Sequence, residues 1–237
     1  GNTGILCFDD TPIDSPYGGQ YVSGPGVSIV EAPDGTIHIT YGAHAENAAN
    51  LTLYHASNAG EGWEFHGLIP DGGGRHSLAV DSNGDLHLAI CAPGCTAGGG
   101  DGQVIYRTLS NGSAEWSNNT VIETVYSNSC SQRCQVHGLS IALNSEDQPS
   151  IFYYTNYNLQ LKVASFDGMN WDMSIVHQGN EEGGIDAFSD NKRGFSIKFD
   201  SNDIPHVAYI FMPMSGPSQL VYAKLNNSNW DKEYIIA

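Results

Sequence analysis

Five cysteines are the most reactive side chains in the sequence, and four of them form two C-x-x-x-C pairs. Cys91 and Cys95 make one pair, Cys130 and Cys134 make the other, and Gly, Ser and Pro surround both. Such loops favour disulfides in an oxidising compartment, whereas structural zinc sites favour tighter spacing. We therefore predict disulfide bonds among these four, with three possible pairings. The leftover Cys7 indicates an intermolecular bridge or a reactive thiol.

Two arginines and two histidines are the candidate ligand-binding residues. Arg75, His76, His137 and Arg193 each lie near the start of a predicted first strand. Cationic and aromatic groups at one face of a fold suit an anionic sugar or another carbohydrate. Acidic residues expected on the same face are Glu181, Glu182, Asp186 and Asp190. Glycoside hydrolysis needs two carboxylates facing one sugar, and no pair stands out by motif, so no catalytic residue is predicted.

The sequence favours neither a metal site nor a cofactor. Asp81-Ser-Asn-Gly-Asp85 resembles part of a calcium loop, but the twelve-residue loop and its terminal Glu are absent. Asp, Asn and Gly also favour tight turns, so a hairpin turn is the preferred interpretation and calcium the weaker one. His38, His87 and His206 occupy equivalent positions of a repeat, which indicates packing rather than a shared metal site.

Four Asn-x-Ser/Thr sequences begin at Asn50, Asn111, Asn118 and Asn226. This acceptor pattern for N-glycosylation has meaning only in a secreted protein. Together with the cysteines, it predicts an extracellular glycoprotein, either secreted or attached to a surface.

The net charge of the chain limits the classes of partner that it can bind. Nine Lys and Arg stand against 26 Asp and Glu, a formal net charge of -17. This charge repels phosphate backbones, so nucleic acid is excluded as a partner. The sequence contains no apolar stretch near the roughly 20 residues of a spanning helix, so membrane insertion is not expected. Its start at Gly1-Asn-Thr, without a basic and apolar leader, is what we expect of a mature soluble protein.

These residues are positioned by a unit that occurs four times. Its tryptophans, Trp63, Trp116, Trp171 and Trp230, are 53, 55 and 59 residues apart. That period fits four short antiparallel strands, which is one propeller blade, with each Trp packed between blades. We predict an all-β, four-bladed β-propeller of four-stranded blades. The repeats span about 28–75, 76–136, 137–193 and 194–237.

Three segments resemble extracellular propeller repeats related to the sialidase-type (BNR-like) repeats. They are His76-Ser-Leu-Ala-Val-Asp-Ser-Asn-Gly84, Pro205-His-Val-Ala-Tyr209 and Leu220-Val-Tyr-Ala223. The resemblance covers residues 28 to 237 and implies the fold. Sialidase activity does not follow from it, because Asn58-Ala-Gly-Glu-Gly-Trp63 departs from the Ser-x-Asp-x-Gly-x-x-Trp box and the chain has few arginines to supply an arginine triad.

An additional strand precedes the repeats. Gly4-Ile-Leu-Cys-Phe8 lies in a segment, 1–27, that is separate from the propeller domain at 28–237. Each unit already contains its own fourth strand. We therefore consider three roles for the additional strand: a clasp at the edge of the last blade, the last strand of an upstream blade, or a strand that pairs with a neighbouring molecule. The candidate contact residues are Ile5, Leu6, Cys7 and Phe8. Whether four blades complete the ring stays open, because a longer parent chain could supply more.

These features together predict a non-enzymatic extracellular glycoprotein with a structural and interaction role. Cys7 and the extra strand suggest a self-assembling subunit of a fibre or coat, whose partners are copies of itself, other extracellular proteins or glycans. A carbohydrate-binding lectin is the first alternative. A propeller-type glycoside hydrolase is the second.

Overall fold

The structure, a computed structural model, describes the strands and turns of the propeller and part of the connecting loops. The described residues are 26–44, 51–60, 62–69, 75–92, 102–125, 136–155, 159–179, 183–185, 194–213 and 217–236. The predicted N-terminal strand, with Ile5, Leu6, Cys7 and Phe8, lies outside them.

Every described element is a strand or a turn, which confirms the all-β prediction. Blade 1 contains β1 (Val27–Glu31), β2 (Ile37–His44), β3 (Leu51–Asn58) and β4 (Glu64–Ile69). Neighbouring strands pair antiparallel in the order β1-β2-β3-β4. This meander is the predicted four-stranded blade.

Blades 2 and 3 repeat the same meander. Blade 2 contains β5 (His76–Val80), β6 (Leu86–Ala92), β7 (Gly102–Leu109) and β8 (Thr120–Val125). Blade 3 contains β9 (Val136–Leu143), β10 (Pro149–Thr155), β11 (Gln160–Phe166) and β12 (Trp171–Gln178).

Blade 4 has one strand more than predicted. Its meander runs through β14 (Ser196–Phe199), β15 (Pro205–Pro213), β16 (Gln219–Asn226) and β17 (Asn229–Ile236). The short β13 (Gly183–Ile185) also pairs with β15, at Phe211 to Pro213, beyond the stretch that β14 occupies. The four predicted blades are confirmed, and β13 is a strand that sequence reasoning missed.

Polar turns join the first two strands of each blade. In blade 2, Asp81 Oδ1 accepts hydrogen bonds from the Asn83 and Asp85 amides, at 2.9 and 2.8 Å. Asn144 and Asp200 make the same pair of bonds in blades 3 and 4. The side chain thus caps its own turn, which supports the hairpin interpretation of Asp81-Ser-Asn-Gly-Asp85.

The blades pack through three apolar clusters, one at each contact between consecutive blades. Trp116 packs in the cluster between blades 1 and 2, Trp171 between blades 2 and 3, and Trp230 between blades 3 and 4. The first strands β1, β5, β9 and β14 stand in that order around the centre. The end of the propeller that carries the capped turns is called the turn face, and the opposite end, where β5 and β9 begin, the loop face.

Candidate functional site

Arg75 and His76 lie at the loop face, at the start of β5. The Arg75 carbonyl accepts a hydrogen bond from the Cys91 amide at 2.8 Å. His76 is buried, and its Nε2 lies 3.1 Å from the Thr40 carbonyl of blade 1. Because these contacts fix β5 against β6 and against blade 1, the two residues are held on a rigid scaffold.

The other two predicted ligand-binding residues are less fully described. His137 is the second residue of β9, the neighbour of β5, and so it belongs to the same face. Arg193 lies outside the described residues, as do Glu181, Glu182, Asp186 and Asp190. The structure therefore brings the positions of Arg75, His76 and His137 to one end of the inner strands.

The sequence suggested that Cys91 is a loop residue, but the structure places it in a strand. It is buried in β6, and its Sγ lies 3.6 Å from the Val136 carbonyl of blade 3. Leu86–Ala92 is buried at every position, and the strand extends through Cys91. Cys7, Cys95, Cys130 and Cys134 lie outside the described residues, so the predicted disulfides stay predictions.

Two described sequons begin at residues that lie toward the turn face. Asn111 Nδ2 donates to the Asn83 carbonyl at 3.0 Å, and Asn226 Nδ2 donates to Asp231 at 2.8 Å. Asn118 is exposed, and Asn50 lies outside the described residues. Glycosylation at these positions stays a prediction.

A histidine cluster that sequence reasoning missed borders a cavity of about 310 Å³ between blades 1 and 2. His38 Nδ1 and His55 Nε2 are 3.1 Å apart, and the His55 and His66 rings stack at 4.7 Å between centroids. Ser57 Oγ lies 2.6 Å from His66 Nε2. Burial, followed by the neighbouring His66 and His38, lowers the pKa of His55 to about 3, so its ring is neutral.

The repeat-equivalent histidines of blades 2 and 4 make a different contact. His87 Nδ1 lies 2.6 Å from the Tyr106 hydroxyl, and His206 Nδ1 lies 2.5 Å from that of Tyr222. Blade 1 has His55 where these blades have a tyrosine. This substitution is the signal from which the cluster could have been found, and the repeated contact supports the packing interpretation.

The histidine cluster does not support a metal site. No three His, Cys, Asp or Glu side chains of the described segments are grouped so as to hold a metal ion. Ring nitrogens of His38 and His55 lie within hydrogen-bond distance of each other. The two rings therefore form a neutral, stacked pair that serves packing.

A second cavity, of about 390 Å³, lies between the turn-face ends of the inner strands. The side chains that line it are apolar except for two opposite charges, Glu31 and Lys198, on blades 1 and 4. No ion pair joins either of them to another described residue.

A buried ion pair holds blades 2 and 3 together. Lys162 Nζ lies 2.6 Å from Glu123 Oε1, and the Tyr153 hydroxyl donates to Glu123 Oε2 at 2.7 Å. Since both oxygens of the carboxylate are occupied by partners within the wall of the propeller, Glu123 serves packing between blades.

Comparison with known proteins gives matches among solved structures. No family model matches the chain, and no curated protein matches it. An α-L-arabinanase from Penicillium chrysogenum, complexed with arabinobiose, aligns over 89% of this chain at 10% identity and a TM-score of 0.62. An α-L-arabinofuranosidase from Fusarium graminearum aligns over 89% at 11% identity and the same score.

A third match belongs to another reaction class. An ulvan lyase of polysaccharide lyase family PL25 aligns over 89% of this chain at 14% identity and a TM-score of 0.57. The chain is a β-propeller. It spans 66% of the length of the two glycosidases and 57% of the lyase.

These matches overturn the prediction of a non-enzymatic protein. The propellers that align with nine-tenths of the chain are enzymes that cleave carbohydrate, whereas a structural subunit of a fibre or coat was expected. The expectation rested on the leftover Cys7 and the N-terminal strand, which carry no information about the loop face. The relation to sialidase-type repeats remains a resemblance.

Several described carboxylates of this propeller lie in its turns, and Glu123 lies between blades 2 and 3. Asp34, Asp81, Asp167 and Asp200 each accept backbone hydrogen bonds in a turn, which lowers the pKa of their carboxyl groups. Within the described ranges, no carboxylate pair stands at the loop face beside Arg75 and His76. Catalytic carboxylates at that face would have to come from the connecting segments.

Finally, none of the described segments forms a helix long and apolar enough to cross a membrane.

Proposed function

We propose that this propeller is an extracellular enzyme that cleaves glycosidic bonds in a polysaccharide, with hydrolysis as the reaction. The observation that carries the proposal is the alignment of 89% of the chain with carbohydrate-cleaving propellers from two glycosidases and a lyase. Because their identities to this chain are 10 to 14%, the likeness supports the scaffold, and the activity is our inference.

The loop face is where we place the substrate. Arg75, His76 and His137 belong to the ends of adjacent inner strands there, and the second and fourth strands of the blades end on the same side. The backbone of Arg75 is fixed by the Cys91 amide, and we assign its guanidinium as a donor to sugar hydroxyl or carboxylate groups. A rigid rim carrying variable loops is the usual arrangement of a binding site on a repeat scaffold.

Hydrolysis requires a carboxylic acid that protonates the leaving oxygen and a carboxylate that attacks or activates water. Since no carboxylate pair of the described ranges stands at the loop face beside Arg75 and His76, we assign these roles to acidic residues of the connecting segments. The candidates are Glu46, Asp71, Asp101, Glu181, Glu182, Asp186 and Asp190. A separation of about 5 Å between the two carboxyl groups would give retention and about 6.5 to 9.5 Å inversion of the anomeric centre.

Eliminative cleavage of a uronate polysaccharide is the second candidate. Arg75 and His76 stand together at the loop face of a chain that has only nine Lys and Arg. In an elimination, a cation neutralises the uronate carboxylate, a base removes the proton beside it, and the bond to the leaving sugar oxygen breaks as a double bond forms. Arg75 suits the first of these roles.

Turnover of polysaccharides tests the proposal. The protein is incubated with arabinan, xylan, ulvan and a neutral glucan, and products are followed by reducing-end release and by the ultraviolet absorbance of unsaturated uronates. Reducing ends without that absorbance indicate hydrolysis, and both signals together indicate elimination. Binding to the same glycans without any product would contradict the proposal and favour the lectin alternative.

A further inference from the structure

The histidine-lined cavity of about 310 Å³ has no part in the proposed reaction. Its wall includes Gly84, a residue of a capped turn, so the cavity lies toward the turn face, whereas we place the polysaccharide at the loop face. The described residues that line it belong to blades 1 and 2. Its geometry therefore follows from the packing of these two consecutive blades.

A displaced β-bulge shapes the wall that blade 1 contributes. The pairing of β3 with β4 shifts register directly after His55, whereas in blades 2, 3 and 4 it shifts directly after the residue equivalent to Leu53. His66 is the extra residue of the bulge in blade 1, and it is exposed beside the cavity. A bulge redirects the side chains of its strand. The displacement thus brings the His66 ring onto His55 and next to Ser57.

A long turn of blade 2 supplies the opposite wall. Residues 110–119 connect β7 to β8, whereas residues 167–170 make the same connection in blade 3. The Asn111 amide donates to Asp85 Oδ1 at 2.7 Å, and the Ser113 amide donates within the turn at 2.8 Å. Because these bonds fix the turn, this wall of the cavity is part of the folded scaffold.

The polar groups of the cavity are neutral, and one of them lacks a partner. His55 Nδ1 is buried and has no hydrogen-bond partner among the described residues. Burial is the first cause that lowers the pKa of His38 and that of His55, so both rings are uncharged at neutral pH. A neutral imidazole offers one donor and one acceptor, and the Ser57 hydroxyl offers both.

These groups indicate the chemical class of the ligand. Among the described residues that line the cavity, Glu64 is the one with a charge and none is Lys or Arg, which disfavours an anion. Leu86 and Leu109 add apolar surface. Sugars combine hydroxyl groups, which donate and accept, with apolar C–H groups, and so match this lining. The volume lies near the lower end of the range for small-molecule sites, roughly 300 to 1,000 Å³, and suits one or two sugar units.

We propose that this cavity binds a neutral sugar unit, at the opposite end of the propeller from the loop face. His55, Ser57 and His66 hydrogen-bond its hydroxyl groups, and Leu86 and Leu109 pack against its C–H groups. The choice of a sugar among hydroxylated ligands rests on the proposed function. An enzyme that acts on a polysaccharide gains apparent affinity from a second point of attachment to the same chain.

Titration with single sugars tests the site. Methyl glycosides of arabinose, xylose, rhamnose and galactose are added to the protein, and the histidine ring signals are followed by NMR. The signals of His55 and His66 are identified by their loss in His55→Phe and His66→Ala. We expect at least one glycoside to shift both signals. Ser57→Ala should weaken its binding at least about tenfold, because a hydrogen bond to the sugar is lost.

The matched control removes a hydroxyl group from the equivalent position of another blade. Ser165 faces Ser150 in blade 3 as Ser57 faces His38 in blade 1, and Ser165→Ala should bind the glycoside like the unchanged protein. His66→Ala, which changes an exposed residue, is the second variant and should also weaken binding at least about tenfold, measured on the His55 signal. Circular dichroism verifies that each variant is folded.

Two results would overturn the proposal. The first is that no glycoside shifts the His55 and His66 signals of the unchanged protein. The second is that the affinity in Ser57→Ala and His66→Ala equals that in Ser165→Ala. Polysaccharide cleavage by the unchanged protein is measured separately. Shifted signals without cleavage would contradict the proposed function and leave the sugar site, whereas cleavage without shifted signals would do the reverse.

Discussion

His55 shows how stacking the blades alters the chemistry of one residue. Its position in the sequence is equivalent to a tyrosine in blades 2 and 4, and its environment combines His38, His66 and the edge of Trp116 from the next blade. The ring is 2% exposed, and burial is the first cause of its low pKa, about 3. Sequence reasoning predicted packing for His38 but could not find this cluster, because its members are 11 to 28 residues apart and meet only across the sheet.

The buried histidines predict a loss of stability in mild acid. Unfolded His55 binds a proton below its ordinary pKa of 6.5, whereas folded His55 does so only near 3, so the free energy of unfolding falls as pH drops through this range. His177, whose pKa burial lowers to about 4, adds to the loss. For His55 alone we expect a loss of about 2 kcal/mol between pH 7 and pH 5.

Urea unfolding at pH 7, 6 and 5 measures this loss. His55→Phe keeps the ring volume and removes the titration, so its unfolding free energy should fall less over the same interval. The turn carboxylates interfere little, because backbone hydrogen bonds lower their pKa values and so move their titration away from this interval. An equal fall in the unchanged protein and in His55→Phe would show that His55 does not titrate as described.

At the scale of elements, the strands of each blade were predictable from the sequence, and the contacts between blades were not. The regular Trp spacing and the Asp-x-Asn-Gly type of turn identify four strands in each unit, because both depend on residues close in sequence. The serine bonds join residues 50 to 64 positions apart, so a sequence pattern shows the serine but not its partner. β13 was missed because three residues, Gly183–Ile185, carry no alternating pattern.

The serine bonds predict unequal effects of one substitution. Ser77→Ala and Ser140→Ala each remove the partner of a backbone amide between blades, which should lower the free energy of unfolding by about 1 to 3 kcal/mol. Among the described residues, Ser196 accepts no such bond, so Ser196→Ala removes none there. Measured by urea unfolding, Ser196→Ala should change stability by less than about 0.5 kcal/mol. Equal losses for all three serines would contradict this expectation and mean that Ser196 accepts a comparable bond from another part of the protein.

At the scale of the whole molecule, the two faces of the propeller have different chemistry. The turn face uses its carboxylates to cap turns, and the loop face carries Arg75, His76 and His137 beside connecting segments rich in acidic residues. Composition and repeats predicted the propeller but gave the wrong role, because the same blades support binding, assembly and catalysis alike. The distinction depends on loop residues that come from different blades, which no local pattern connects.

The most direct test of the proposed activity is to identify the acidic residues on which it depends. Rates of product release from the best polysaccharide substrate are measured for Glu-to-Gln and Asp-to-Asn variants of the seven candidate acids, with Glu146→Gln at the turn face as a matched control. We expect one or two of the loop variants to lose at least about a hundredfold in rate while the control retains full rate. Equal rates in all seven variants, with the same substrate still cleaved by the unchanged protein, would contradict hydrolysis by loop-face carboxylates.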